Sequence, residues 1–259
     1  MSDTLKVVFN VRKMPALEEP YLVCGLPGSG YVGKLAVEHL IHEVGAKLLA
    51  DIYSHSFPPQ VMIRSDGTAD LMKNSMYYWK NNGKPDMLLL TGDAQPSTPE
   101  AEYILGTEIL ELANKFHAKA AFTLAAYITG VFSEKPKVYA TATDADLLKE
   151  LQSRGILVME GGSITGMNGL IVGLAKLKGM DGTCLLGETS GYVVDAKASQ
   201  AVLEALLGMI GVKIDMKNLE KRAKDTEMLI QTIEQQMRKR SIPEAQQTKQ
   251  PSKDVGYIS

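Results

Sequence analysis

The sequence predicts an α/β protein: a three-layer α/β/α sandwich around a mostly parallel sheet, followed by a long C-terminal helix and a disordered tail. Three observations carry this expectation. Short apolar runs alternate with amphipathic helical stretches from Tyr21 to Gly211, an order that builds one sheet with helices on both faces. The stretch Tyr21-Leu-Val-Cys-Gly-Leu-Pro-Gly-Ser-Gly-Tyr-Val-Gly-Lys34 reads strand, glycine turn, helix. From Asp215 the pattern changes, with Met216, Leu219, Ala223, Thr226, Ile230, Ile233 and Met237 at spacings of three and four, the a/d seam of a helix.

Taken in order, Leu5 to Val11 alternates and suits an edge strand ended by Pro15 and Pro20. Tyr21 to Cys24 is too short for a helix and suits a buried strand, and Leu35, Val37, Leu40, Ile41 and Val44 then recur on one helix face. Ala46 to Tyr53 and Gln60 to Arg64 are further strands. The turn Ser65-Asp-Gly-Thr68 makes Ala69 to Trp79 the return strand of a hairpin. Asp86 to Thr91 is the clearest central strand. Ser97 and Glu100 form a capping box before a helix to about Phe116, with Pro99 among its first positions.

Lys119 to Tyr127 and Lys137 to Ala142 are strands, and Thr143 or Asp144 caps a helix to Ser153. Gly155 to Met159 reads as a strand. A second glycine-rich stretch, Gly161 to Gly169, feeds a helix over Leu170 to Lys178, and Gly182 to Gly187 and Ser199 to Gly211 close the body as strand and helix. Composition divides the chain into residues 1–212, an α/β/α domain; 213–240, an amphipathic helix; and 241–259, a flexible tail. Between Lys213 and Lys253 there are ten Lys or Arg against six Asp or Glu, so this segment is basic while the body is acidic. Residues 241–254 are polar and aperiodic, whereas Val255-Gly-Tyr-Ile-Ser259 returns to apolar and aromatic character.

A formal charge of −2 and a pI near 6.1 give no general reason to expect nucleic acid or an acidic membrane as partner. Cys24 and Cys184 lie in apolar runs and read as reduced, structural thiols. No charged-then-apolar leader and no apolar run of about 18 residues occurs. The expected location is cytoplasmic.

Gly28, Gly30 and Gly33 spell G-x-G-x-x-G, and Asp51 stands near where a ribose-binding acid is required. These four residues define one reading, a nucleotide- or small-ligand-binding enzyme. Gly28 to Lys34 also fits most of a phosphate loop, but Leu35 occupies the place of the magnesium-binding Ser or Thr. The other reading of the glycines is a tight strand-to-helix connection with close helix packing. Thr165 and Asn168 stand where a helix N-terminus meets an anion or simply caps itself. His39 and His42 lack the H-E-x-x-H arrangement, and His55 and His117 are isolated. No metal site, cofactor or catalytic residue is expected. The seam helix either mediates self-association or packs back on the body.

The segments Gly25 to Gly33, Gly92-Asp-Ala-Gln-Pro96, Gly161 to Gly169 and Leu186-Gly-Glu-Thr-Ser-Gly191 together resemble the archaeal branch of the proteasome assembly chaperone family, once labelled ATP-grasp-like. The resemblance covers most of residues 5 to 240 and is strongest to the A-type archaeal chaperone. It implies a non-enzymatic homo-oligomer that helps assemble the proteasome core particle, with proteasome α subunits or a second assembly factor as partner. In some members a C-terminal hydrophobic-Tyr-any residue motif enters pockets between α-ring subunits. Here Tyr257 is third from the end and Ile258 penultimate, a departure from that motif. Val255, Tyr257, Ile258 and Ser259 are the candidate partner-binding residues, and Met216, Leu219, Ile230, Ile233 and Met237 the candidate oligomer seam.

Overall fold

The computed structural model describes residues 5–81, 85–226 and 228. In chain order its strands are β1 (Leu5–Phe9), β2 (Tyr21–Cys24), β3 (Lys47–Ser54), β4 (Val61–Ile63), β5 (Ala69–Leu71), β6 (Asn74–Trp79), β7 (Met87–Gly92), β8 (Ala120–Ile128), β9 (Val138–Ala142), β10 (Leu157–Val158) and β11 (Asp181–Thr189). The helices are α1 (Val32–Glu43), α2 (Pro99–Asn114), α3 (Ala145–Ser153), α4 (Met167–Leu177) and α5 (Ala196–Ile210), and the chain is helical again over 217–226.

Nine strands form one mixed sheet in the order β1-β3-β6-β7-β2-β8-β11-β9-β10. Its centre, β7-β2-β8-β11, is parallel throughout. On one side β6, β3 and β1 continue it antiparallel, and on the other β9 pairs antiparallel with β11 before β10 adds in parallel. Strands covered on both faces need uninterrupted apolar runs. Leu22, Val23 and Cys24 of β2 and all of β7 are accordingly buried. One layer, α1 and α5, covers Val23, Leu89 and Leu124; the other, α2 and α4, covers Leu22, Leu88 and Leu90.

Three local expectations are corrected. The return strand over 69–79 is two strands: β5 pairs with β4 in a separate ribbon, and β6 enters the main sheet. The break falls at Lys73, whose N–H and C=O are both bonded to Asp93, at 3.2 and 2.9 Å. Thr98, not Ser97, caps α2 and accepts from Ala101 N–H, because Ser97 N–H is drawn out of the helix to Ser56 O at 2.8 Å. Asp144 caps α3 by accepting from the N–H groups of Asp146 and Leu147; α4 begins at Met167, three residues earlier than expected.

Past α5 the chain folds back on the α1/α5 layer. Leu219 (1% exposed) and Ala223 (4%) are buried in that core, with Ile214 and Met216 packed against it. His39 Nε2 meets Asp215 O at 2.9 Å, and Asn218 donates to Glu43 at 3.4 Å. The first positions of the seam, Met216 and Leu219, therefore face this chain's own core. Ile230, Ile233 and Met237 lie outside the described residues.

Candidate functional site

The four central strands end on one edge of the sheet, and the four glycine-containing motifs meet there. Adjacent strands β2 and β8 lead away in opposite directions, to β3 and to β9, which makes a topological switch point. Between Cys24 and α1 the chain turns through Gly25 to Tyr31, with Gly30 and Tyr31 in the left-handed region at φ 62° and 52°. A Cβ on Gly33 would lie 1.9 Å from Leu124 O, and one on Gly25 would lie 2.1 Å from Gly33 O. These glycines let α1 rest directly on the backbone of β8. Lys34 does not face the turn: its ammonium donates to Gly92 O at 2.5 Å and pairs with Glu38 at 3.0 Å.

Two side chains staple the motifs together. Gln95 donates from Nε2 to Pro27 O at 2.5 Å, and its Oε1 accepts from Met167 N–H at 2.7 Å. Asn168, buried at the start of α4, accepts from Leu26 N–H at 3.3 Å and donates to Leu26 O at 3.4 Å. The fourth motif joins through Asp195, whose N–H donates to Gly30 O at 2.8 Å. Its carboxylate accepts from Thr189 Oγ1 at 2.7 Å and from Ala198 N–H at 2.9 Å, capping α5. A groove of about 390 Å³ remains, with Gly28, Ser29, Tyr127, Met159, Thr165 and Leu186 on its walls. The Met167 N–H that opens α4 is already committed to Gln95, so an anion there would compete with an internal bond.

The dinucleotide grouping of Gly28, Gly30, Gly33 and Asp51 does not assemble. Asp51 sits in β3, separated from β2 by β6 and β7, three strand spacings or about 14 Å. It is 6% exposed and accepts from Lys73 Nζ at 2.8 Å, Ser75 Oγ at 2.6 Å and Asn10 Nδ2 at 3.3 Å. Burial alone would lower the Lys73 pKa; the hydrogen bond and charge of Asp51 outweigh it and hold the amine above its ordinary value. Asp51 thus tethers β3 to the turn before β6. Burial raises both thiols, Cys184 to about 12, so neither is a nucleophile. Among the described residues no group of three or more His, Cys, Asp or Glu could hold a metal, and no helix is long and apolar enough to cross a membrane. Val255, Tyr257, Ile258 and Ser259 lie outside the described residues.

Sequence reasoning missed the apolar rim of this edge. Val61, Met62, Ile63 and Leu71 of the β4–β5 ribbon are exposed, as are Val131, Phe132 and Tyr192 in the loops after β8 and β11. The available signal was Val61-Met62-Ile63 itself. Three consecutive large aliphatics in a three-residue strand behind Pro58-Pro59 place apolar groups on both faces of a ribbon.

Comparison with known proteins places this architecture. The crystal structure of Pyrococcus furiosus PbaB, an archaeal proteasome activator, superposes with a TM-score of 0.83 at 38% identity, covering 89% of this chain and 98% of that one. Pyrococcus furiosus PbaA, an archaeal homolog of proteasome-assembly chaperone, matches with a TM-score of 0.74 at 28% identity, covering 91% and 93%. An uncharacterized protein of Methanocaldococcus jannaschii is 38% identical over 253 residues, 96% of this chain and 95% of the relative. Residues 22–234 match the PAC2 family, and the chain belongs to that family.

Proposed function

We propose that this protein is a non-enzymatic assembly factor of the proteasome core particle, working in the cytoplasm as a homo-oligomer that engages proteasome α subunits or a second assembly factor. The observation that carries the proposal is the likeness to PbaB and PbaA over about nine-tenths of the chain. The edge chemistry is in keeping with it: Gln95 and Asn168 bond the backbone of Leu26, Pro27 and Met167, and Thr189 donates to Asp195, which caps α5, so these polar groups serve to join the motifs. In this proposal the α/β/α body of residues 1–212 is the scaffold, Ile230, Ile233 and Met237 extend the 213–240 stripe toward another subunit, and Val255, Tyr257, Ile258 and Ser259 enter the partner. No cofactor, metal, nucleic acid or membrane takes part.

The test is co-purification with proteasome α subunits from the native cell, for the full chain and for a chain lacking residues 255–259. Capture by the full chain and weaker capture by the shortened one is expected; capture by neither would sink the proposal. A second reading, activation of the finished core particle, is favoured by the higher identity to PbaB than to PbaA. Stimulated peptide hydrolysis by purified core particles would select it.

A further inference from the structure

The carboxyl edge of the sheet carries most of the large apolar side chains that the described residues expose. Four belong to the β4–β5 ribbon: Val61, Met62, Ile63 and Leu71. Since successive strand residues point to opposite faces, Val61 to Ile63 put aliphatic groups on both sides of a two-stranded element, and such an element is marginal by itself. Six more stand at the end of β8 or on the segments that follow β2, β8 and β11: Tyr31, Ile128, Val131, Phe132, Tyr192 and Val194. These three strands are neighbours, and their loops touch: a Cβ on Gly191 would lie 3.2 Å from the Ile128 side chain, and Thr129 N–H donates to Thr189 O at 2.9 Å.

The ribbon lies on the same edge. Strand β3 runs parallel to β2 through two antiparallel steps, and β6 begins where β7 ends, with Asn74 opposite Gly92. Beside the ribbon an apolar groove of about 640 Å³ is walled by Tyr53, Phe57, Pro58, Pro59 and Leu71. The ribbon's Arg64 and Asp70 charges pair with each other at 2.6 Å, leaving little charge to select a nucleic acid or an acidic partner.

We propose that this edge is an interface between copies of this chain, with the β4–β5 ribbon and its groove on one copy seated against the 128–132 and 192–194 loops of another. The proposal rests on the homo-oligomer reading above and adds the surface that builds it. In a two-fold pairing each copy gives both its ribbon and its loops, ten exposed side chains of roughly 900 Å² in all, close to the about 800 Å² each partner gives to a standard interface. A face this apolar needs a cover that is present whenever the chain is. A second copy meets that condition, whereas a client that arrives and leaves would bare the patch each time.

Size-exclusion chromatography with light scattering on the full chain tests this at micromolar concentration. Wild type and Leu177→Asp, whose residue is 83% exposed at the far end of α4, should share one oligomeric mass. Ile63→Asp and Phe132→Asp should fall to a smaller species with unchanged far-ultraviolet circular dichroism. A second measurement does not depend on disruption. With Cys24 and Cys184 buried, an Ile63→Cys/Phe132→Cys chain treated with a short bismaleimide should give a covalent dimer or larger on a reducing denaturing gel. A monomeric wild type, unchanged mass in both Asp variants, or no covalent dimer would overturn the proposal. An oligomer built on this edge that fails to capture α subunits would instead refute the assembly-factor reading and leave this one standing.

Discussion

Substituting Gly33 by alanine sets two effects of opposite sign against each other. Gly33 lies in the first turn of α1, and alanine favours helix over glycine by up to about 1 kcal/mol. Against this, the new Cβ would sit 1.9 Å from Leu124 O and 2.7 Å from Leu124 C, well inside the roughly 3.5 Å of ordinary contact. Both partners are backbone, so α1 itself must retreat from β8 along the face that buries Val32, Ala36, Val37 and Leu40. Overpacking costs about 1–3 kcal/mol, and with no side chain able to move aside the upper end applies. The net loss is about 2 kcal/mol, a fall in Tm of roughly 4–8 °C for a chain of this size. Gly173→Ala in α4 is the control: no atom lies within 4 Å of the Cβ it would add, so only the helix term remains and Tm should rise by about 2–4 °C. Differential scanning calorimetry of the three proteins decides the matter. If Gly33→Ala melts at or above wild type, the close-approach account of the glycine turn is wrong.

Gln95→Leu removes both bonds of one staple and leaves Pro27 O and Met167 N–H without partners; urea denaturation should show a loss of about 2–3 kcal/mol. The thiols predict a pH dependence. Burial raises the folded pKa of Cys184 to about 12 and raises that of Cys24 in the same direction. Folding therefore favours the neutral thiol, and the resulting stability is fully present below the unfolded value of about 8.5 and lost as pH rises above it. Urea midpoints should fall between about pH 9 and 12, and less steeply in Cys184→Ala. Lys73, also raised by Asp51, adds a loss of the same sign above its own ordinary range, so a residual slope persists. At about pH 8 neither thiol should react with a disulfide reagent until denaturant is added.

What was legible in the sequence is what local patterning dictates. Strand β7 announces itself because burial on both faces demands consecutive apolar residues, and α3 because Asp144 caps it locally. The break between β5 and β6 was not legible, since Lys73 turns there for the sake of Asp93 and Asp51, 20 and 22 residues away. The glycine turn suggested a phosphate because G-x-G-x-x-G records a need for small residues without recording why. The cause, Leu124 O, lies in β8. Gln95 and Asn168 were visible as letters of motifs, yet their partners are 68, 72 and 142 residues distant, and no spacing rule links them. Leu219 and Ala223 fitted a seam between helices equally well before the α1/α5 layer was seen to cover them.

The strand order also has a consequence in time. Strand β2 is made early, but both of its neighbours, β7 and β8, come later, and the Leu26–Asn168 bonds join residues 142 apart. At about 5–20 residues per second of synthesis, roughly 7–30 s separate the emergence of those two residues. In that interval the antiparallel group β1-β3-β6 can pair, while Leu22 to Cys24 must wait for their partners. Such non-local closure is intrinsically slow. The carboxyl edge is assembled from residues spread between Gly25 and Asp195. It exists as a surface only once nearly the whole body has been made, and a nascent chain halted earlier has no such face to offer.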